Sequence, residues 1–298
     1  RTHHCESVDR FDDMLGKVDG IISGAPAMDY TGLVATKMAF LVQANTAPDG
    51  SQILGPEEAK LIGDAVYEQC DAVDGAEDGF IADPRACDVE DSASCLGEAE
   101  LATVAKWREG PHNAAGEQLY PGGIPEGSEP FWWLWLTGND QGAGRSIPAF
   151  VENFGRYMAF ATDPGPEWTP LDFDMETDPA RLSTMAAVYN GDSPDLSKFR
   201  AAGGKMIVWH GWADSIVTPY KTVDWFEKAA EAAGFVLKDQ SDHLANPKDT
   251  HEHPRGVWTL PPVRRSEQDG RVLTEAERAA YDAIGESDRM TLRFRKPE

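Results

Sequence analysis

The run Lys205-Met206-Ile207-Val208-Trp209-His210-Gly211-Trp212-Ala213-Asp214 does most to constrain the fold. An apolar stretch that enters a polar, glycine-containing turn reads as a buried strand ending near Asp214. A helical pattern follows from Thr222 to Ala233, with Val223, Phe226 and Ala230 on one face, and then Phe235-Val236-Leu237 as a last short strand. Strand, helix, strand in that order predicts a parallel α/β sheet. Such sheets collect functional groups beyond the carboxyl ends of their strands. Asp214 lies at one such end, and His243 follows the next strand by six residues. Near the other end of the chain, Val18 to Ile22 reads as a further buried strand, closed by the turn Ser23-Gly24-Ala25-Pro26. A buried parallel strand needs neighbours on both sides, yet only a short stretch precedes this one. The first residue is Arg1, as expected of a processed product or a fragment.

Between these strands the pattern is helical. Leu33, Val34, Met38, Leu41 and Val42 recur at helical spacing from Tyr30 to Val42. Gly55-Pro56-Glu57-Glu58 opens a second helix, with proline in the first turn and acids at the positive dipole end. Its expected inward face is Leu61, Ile62, Ala65 and Val66, and it delivers Cys70. A third helix spans about Gly97 to Glu109, with Leu101, Val104 and Trp107 in register. From Tyr120 to Pro170 the chain is rich in glycine, proline and aromatics: Trp132, Trp133, Trp135, Phe150, Phe154, Tyr157, Phe160 and Trp168. Core or lid packing is one reading of these rings, and an aromatic-lined pocket for an apolar or phenolic ligand is the other. A last helical pattern runs from Thr274 to Ile284 within a charged C-terminal segment.

The formal charge of −24 excludes nucleic acid and an anionic membrane as partners, because both call for basic patches. No run of eighteen apolar residues is present to span a bilayer. The four cysteines, Cys5, Cys70, Cys87 and Cys95, lack the paired close thiols of a structural zinc site. A bridge between Cys70 and Cys87 would suit an oxidising, exported setting, secreted or periplasmic.

Those two cysteines flank an acidic loop with carboxylates at Asp71, Asp74 and Asp78 and glycines at 75 and 79. Calcium takes six to eight oxygens on a sharply turning loop. Counted from Asp74, the pattern follows the first half of an EF-hand: Asp78 at position 5, Gly79 at 6, Phe80 at the carbonyl-donating position 7 and Ile81 at 8. Arg85 occupies position 12, where a bidentate glutamate belongs, and Asp71 upstream could supply the missing charge. A solvated acidic turn is the alternative, since Asp-Gly pairs mark turns widely.

Asp214 followed by His243 is the order of acid and base in α/β-hydrolases, whose chain order is Ser, Asp, His. The histidine accepts the serine proton, and the aspartate fixes its tautomer and stabilises the imidazolium. By itself the pair carries little weight, because strand ends are polar in any α/β fold. His210 sits inside the apolar run, where a satisfied structural histidine is expected. No Gly-x-Ser-x-Gly pentapeptide occurs in the sequence, and Ser23 lacks the glycine that lets such an elbow turn.

Taken in order, Asp19-Gly20-Ile21-Ile22-Ser23-Gly24-Ala25-Pro26-Ala27, the loop from Cys70 to Cys87, Leu119-Tyr120-Pro121-Gly122-Gly123 with Gly127-Ser128-Glu129, and His210-Gly211-Trp212-Ala213-Asp214 resemble the tannase/feruloyl esterase family of α/β-hydrolases over roughly residues 18 to 233. The resemblance implies a secreted carboxylic ester hydrolase acting on small esters of aromatic acids through a serine acyl-enzyme. It implies an α/β fold: a partial α/β-hydrolase core with a parallel sheet, and an inserted, mainly helical and loop-rich, calcium-binding lid domain. It also implies a Cys70–Cys87 disulfide and a structural calcium held by the carboxylates of Asp71, Asp74 and Asp78 with the carbonyls of Ala76 and Phe80. Asp214 matches the triad acid.

The departures are specific. The family's serine lies in a Gly-Cys-Ser-x-Gly-Gly elbow, and counting back without gaps from the Asp-Gly-Ile strand places it at Arg1. The nucleophile and the oxyanion-hole loop are therefore expected to be absent from this chain. The His-Cys pair after the family's last strand is represented by His243 without the cysteine, while His253 fits the usual Asp-to-His separation. His243 is preferred for its placement after the strand. The expected organisation is hydrolase core over 1–45, lid over 46–195, hydrolase core again over 196–258 and an unassigned charged segment over 259–298. The competing reading is a non-catalytic calcium-binding or ligand-binding remnant of such an esterase.

Overall fold

The computed structural model describes residues 20–75, 77–87, 89, 96–234, 236–241, 267–268, 271–284 and 291–295. Strand β1 (Gly20–Gly24) is followed by a π-helical stretch, Gly32–Lys37, that continues as helix α1 (Met38–Ala44). Helix α2 (Pro56–Cys70) starts as expected at Gly55, whose N–H donates to Glu58 Oε2 at 2.8 Å. Helix α3 (Glu98–Glu109), α4 (Ile147–Tyr157), α5 (Asp178–Arg181), α6 (Ser183–Tyr189) and α7 (Ser197–Ala201) lead to β2 (Lys205–Trp209) and α8 (Pro219–Ala232). Strand β3 (Val236–Ser241), the two-residue strands β4 (Glu267–Gln268) and β5 (Arg271–Val272), helix α9 (Glu275–Ile284) and β6 (Thr291–Arg295) complete the described elements.

β1 and β2 pair in parallel, with Ile22 opposite Ile207 and Gly24 opposite Trp209. Almost the whole helical region is thus threaded between two adjacent strands. The expectation that both strands are buried is corrected on one face. Met206 and Val208 pack with Met28, Trp225 and Ala229, whereas Ile22, Ile207 and Trp209 are 76%, 62% and 54% exposed. The cause is the alternation of side chains across a strand: among the described residues, helix α8 packs on one face only. Helix α8 turns Trp225 and Ala229 inward onto that face, not Val223, Phe226 and Ala230, and Phe226 is exposed. β3 also differs from expectation, pairing antiparallel with β6 instead of joining β1 and β2.

The main core runs from Leu33, Val34, Met38 and Leu41 through Ile62, Val66, Val104 and Trp107 to Phe160 and Ile216. It crosses position 45/46 without a break, since Thr103 Oγ1 and Trp107 Nε1 donate to the carbonyls of Ala44 and Leu41 at 2.9 and 3.0 Å. Leu61 is exposed, so α2 turns Ile62, Gly63 and Val66 inward. Most of the aromatic region is core. Trp107 and Trp132 meet edge to face at 5.2 Å, and Trp132 Nε1 donates to the buried hydroxyl of Ser128 at 2.9 Å, so each indole keeps a polar partner inside an apolar interior. Trp133, Phe150 and Tyr157 remain exposed.

Candidate active site

The carboxyl end of β2 carries the turn from His210 to Thr218. Asp214 Oδ1 accepts from the N–H groups of Ile216 and Val217 at 3.0 and 2.9 Å. Its carboxylate is fixed by its own turn just before α8 begins. The imidazole found beside it is that of His210, with Nε2 3.5 Å from Asp214 Oδ2 and Nδ1 2.7 Å from Thr222 Oγ1. The His210 side chain is only 5% exposed. His243 and His253 lie outside the described residues. Thr218 then donates to the Gly123 carbonyl at 3.1 Å, which ties the turn to the Tyr120-Pro121-Gly122-Gly123 segment. Both glycines there are required by close approach. A Cβ on Gly123 would stand 2.0 Å from the Arg108 carbonyl, and one on Gly122, at φ +68°, would meet the Tyr220 ring at 2.3 Å.

Three features of this region were missed in the sequence reading. Lys37 is fully buried and donates to the Ile216 carbonyl at 3.0 Å. Burial brings its pKa down to about 7, opposed by the negative charge of Asp214. The signal was present: Lys37 is a lone charge in the apolar run from Leu33 to Val42. Lys221 sits among Asp29, Asp192 and Asp224 with N···O separations of 3.7, 3.8 and 3.9 Å. Asn190 bonds Asp29 at 2.7 Å and the hydroxyl of Thr31 at 3.1 Å, so this polar cluster joins the segment after β1 to the end of the inserted region. Glu129 is buried between α2 and α3 beside Arg108 and Glu126. The Lys221 cluster lies in no sequence pattern, and Glu129, though part of the Gly127-Ser128-Glu129 segment, meets Arg108 only through packing.

The loop after α2 is closed by a Cys70–Cys87 disulfide with Cα atoms 5.4 Å apart. Asp71 Oδ1 accepts from the N–H groups of Asp78, Gly79 and Phe80 at 3.2, 2.9 and 3.2 Å, and Phe80 N–H also reaches Asp78 Oδ1 at 3.0 Å. Positive φ at Gly75 and Gly79, +100° and +76°, lets the backbone turn this tightly. Ala76 and the side chain of Asp74 lie outside the described residues. Among the described residues no group of three His, Cys, Asp or Glu side chains is placed to hold a metal ion. The oxygen chemistry of Asp71 and Asp78 on one tight loop suits a hard cation in kind. Arg85 instead pairs with Asp83 at 2.6 Å, and its guanidinium lies 4.7 Å from the centre of the Trp212 ring. The disulfide loop thereby touches the turn that holds Asp214.

Two parallel neighbouring strands are joined through a long helical insertion, with an acid in the turn after the second strand, an arrangement of the α/β-hydrolase type. Feruloyl esterase B from Aspergillus oryzae shares it, with a TM-score of 0.60 at 24% identity over 76% of this chain and 44% of that one. Tannin acyl hydrolase from Aspergillus niger does so with a TM-score of 0.55 at 20% identity, over 76% and 44%. The chain belongs to the tannase and feruloyl esterase family, whose model matches residues 6–235. An uncharacterized esterase of Xanthomonas campestris pv. campestris is 33% identical over 71% of this chain and 40% of its own length. A probable feruloyl esterase B-2 of Aspergillus terreus is 29% identical over 72% and 41%. The chain thus spans about two fifths of the length of these relatives. Among the described residues no helix is long and apolar enough to cross a membrane.

Proposed function

We propose that this chain carries the acid, the base and the inserted lid of a carboxylic ester hydrolase that cleaves small esters of aromatic, phenolic acids through a serine acyl-enzyme, with the serine nucleophile absent from this chain. The observation that carries the reading is the Asp214 turn at the carboxyl end of β2, within a chain of this family. With Oδ1 held by two N–H groups, Oδ2, which has His210 Nε2 3.5 Å away, is the oxygen left to accept from an imidazole. Asp214 would hold the catalytic base in one tautomer and stabilise the imidazolium. His243 is the proposed base. His210 is a poor candidate, being almost fully buried with Nδ1 engaged by Thr222.

Asp71, Asp74 and Asp78, with the carbonyls of Ala76 and Phe80, are the proposed holders of a structural calcium. Calcium would brace the loop and take no part in bond breaking. In the loop described here, Asp71 already organises the backbone from Asp78 to Phe80, and the Arg85–Trp212 contact relays that order to the Asp214 turn. The disulfide supports an exported setting, secreted or periplasmic. The test is the DNA upstream of Arg1. An in-frame Gly-x-Ser-x-Gly supports the esterase, and its absence favours a non-catalytic calcium-binding or ligand-binding remnant.

A further inference from the structure

A buried lysine needs a reason. Lys37 ends the π-helical stretch after β1, is 0% exposed, and packs in the same core as Leu33, Val34, Met38 and Leu41. Taking an ammonium group out of water is costly unless it is well paired. Among the described residues Lys37 has one hydrogen-bond acceptor, the Ile216 carbonyl at 3.0 Å. A methionine of similar length would fill the space with no such desolvation. Packing therefore does not explain the residue.

What Lys37 holds does explain it. Ile216 is grasped from both sides: its carbonyl accepts from Lys37, and its N–H donates to Asp214 Oδ1 at 3.0 Å. The next N–H, of Val217, donates to the same oxygen at 2.9 Å. The sequence separation of 179 between Lys37 and Ile216 means that the contact ties the segment after β1 directly to the turn after β2. We propose that Lys37 is a positioning residue for Asp214: by pinning Ile216 from within the core it fixes the turn whose N–H groups occupy Oδ1, and so presents Oδ2 to the imidazole of the catalytic base. This role rests on the reading of Asp214 as the acid of the site.

Amide hydrogen exchange, resolved to single residues, tests the clamp on the chain as it stands. In Lys37→Met the Ile216 and Val217 amides should exchange about tenfold faster, the loss expected for a charged hydrogen bond, while the melting temperature holds or rises. Lys37→Gln, which keeps an N–H donor, should accelerate the same amides less. Such opposed changes in local protection and global stability are not produced by a purely structural residue. Unchanged exchange at both amides overturns the clamp, as does acceleration spread evenly over the core together with a lower melting temperature. If Lys37→Met does not fold, the comparison of Lys37→Gln with wild type at these amides decides by the same criteria. An ester assay separates the two layers. If the polypeptide that carries this chain together with the sequence encoded upstream of Arg1 is inactive in every form, the esterase reading is overturned, and the exchange rates alone still decide the clamp.

Discussion

Glu129 Oε1 stands 3.9 Å from Nη2 of Arg108, and neither carboxylate oxygen of Glu129 has a hydrogen-bond partner among the described residues. The carboxyl is sealed beneath α2, where Gly63 leaves just enough room for its Cβ. Burial pushes its pKa up to about 7, while the backbone N–H dipoles of Glu129 and Gly127 and the Arg108 charge oppose the shift and Glu126 adds to it. Tyr67 on α2 faces the same group, and its phenol is itself pushed up to about 12, by burial first and then by Glu129.

A pH dependence follows. Between the ordinary glutamate value of 4.5 and about 7, the folded chain keeps a proton on Glu129 that the unfolded chain has released. The stabilisation is fully present below pH 4.5 and is lost as pH rises through 7. Chemical denaturation across this window should show wild type losing on the order of 3 kcal/mol relative to Glu129→Gln. Parallel curves for the two proteins would contradict it.

The Cys70–Cys87 bridge spans a sequence separation of 17. Cross-linking a loop of that size stabilises by about 3 kcal/mol, chiefly by restricting the unfolded chain. Replacing both cysteines with serine should lower stability by that order. It should also change the indole emission of Trp212, because Arg85 stacks on that ring. Unaltered fluorescence would separate the loop from the Asp214 turn.

The proposed calcium predicts a chelator effect. A ligand bound at a hundred times its dissociation constant stabilises by about 2.7 kcal/mol, so excess chelator should lower the melting temperature by on the order of 5 °C. Asp74→Ala should abolish that sensitivity. No thermal shift with chelator in wild type would count against the site.

Much of the fold could be read from local pattern. The capped start of α2, the helix at Glu98–Glu109 and the strand at Lys205–Trp209 each carry a propensity or periodicity that packing then respects. The exposed Ile22 and Ile207 could not be read, since an apolar run looks the same with one covered face as with two. The same ambiguity misassigned the buried face of α8, where Thr222, Trp225 and Ala229 sit one step from the expected set. At the proposed site, the place of Asp214 just after a strand was legible, as the end of β2 at Trp209 shows. Lys37 shows in the sequence only as a lone charge in an apolar run; what it holds, like the Glu129 and Lys221 clusters, depends on contacts between residues far apart in the chain, to which periodicity has no access.

The most direct test is methyl ferulate hydrolysis by the polypeptide that carries this chain together with the sequence encoded upstream of Arg1, compared with its Asp214→Ala variant. The account predicts turnover in the parent and a loss of about 10⁴-fold in kcat on removing Asp214. Turnover that survives the substitution unchanged, or no turnover in the parent, would contradict it.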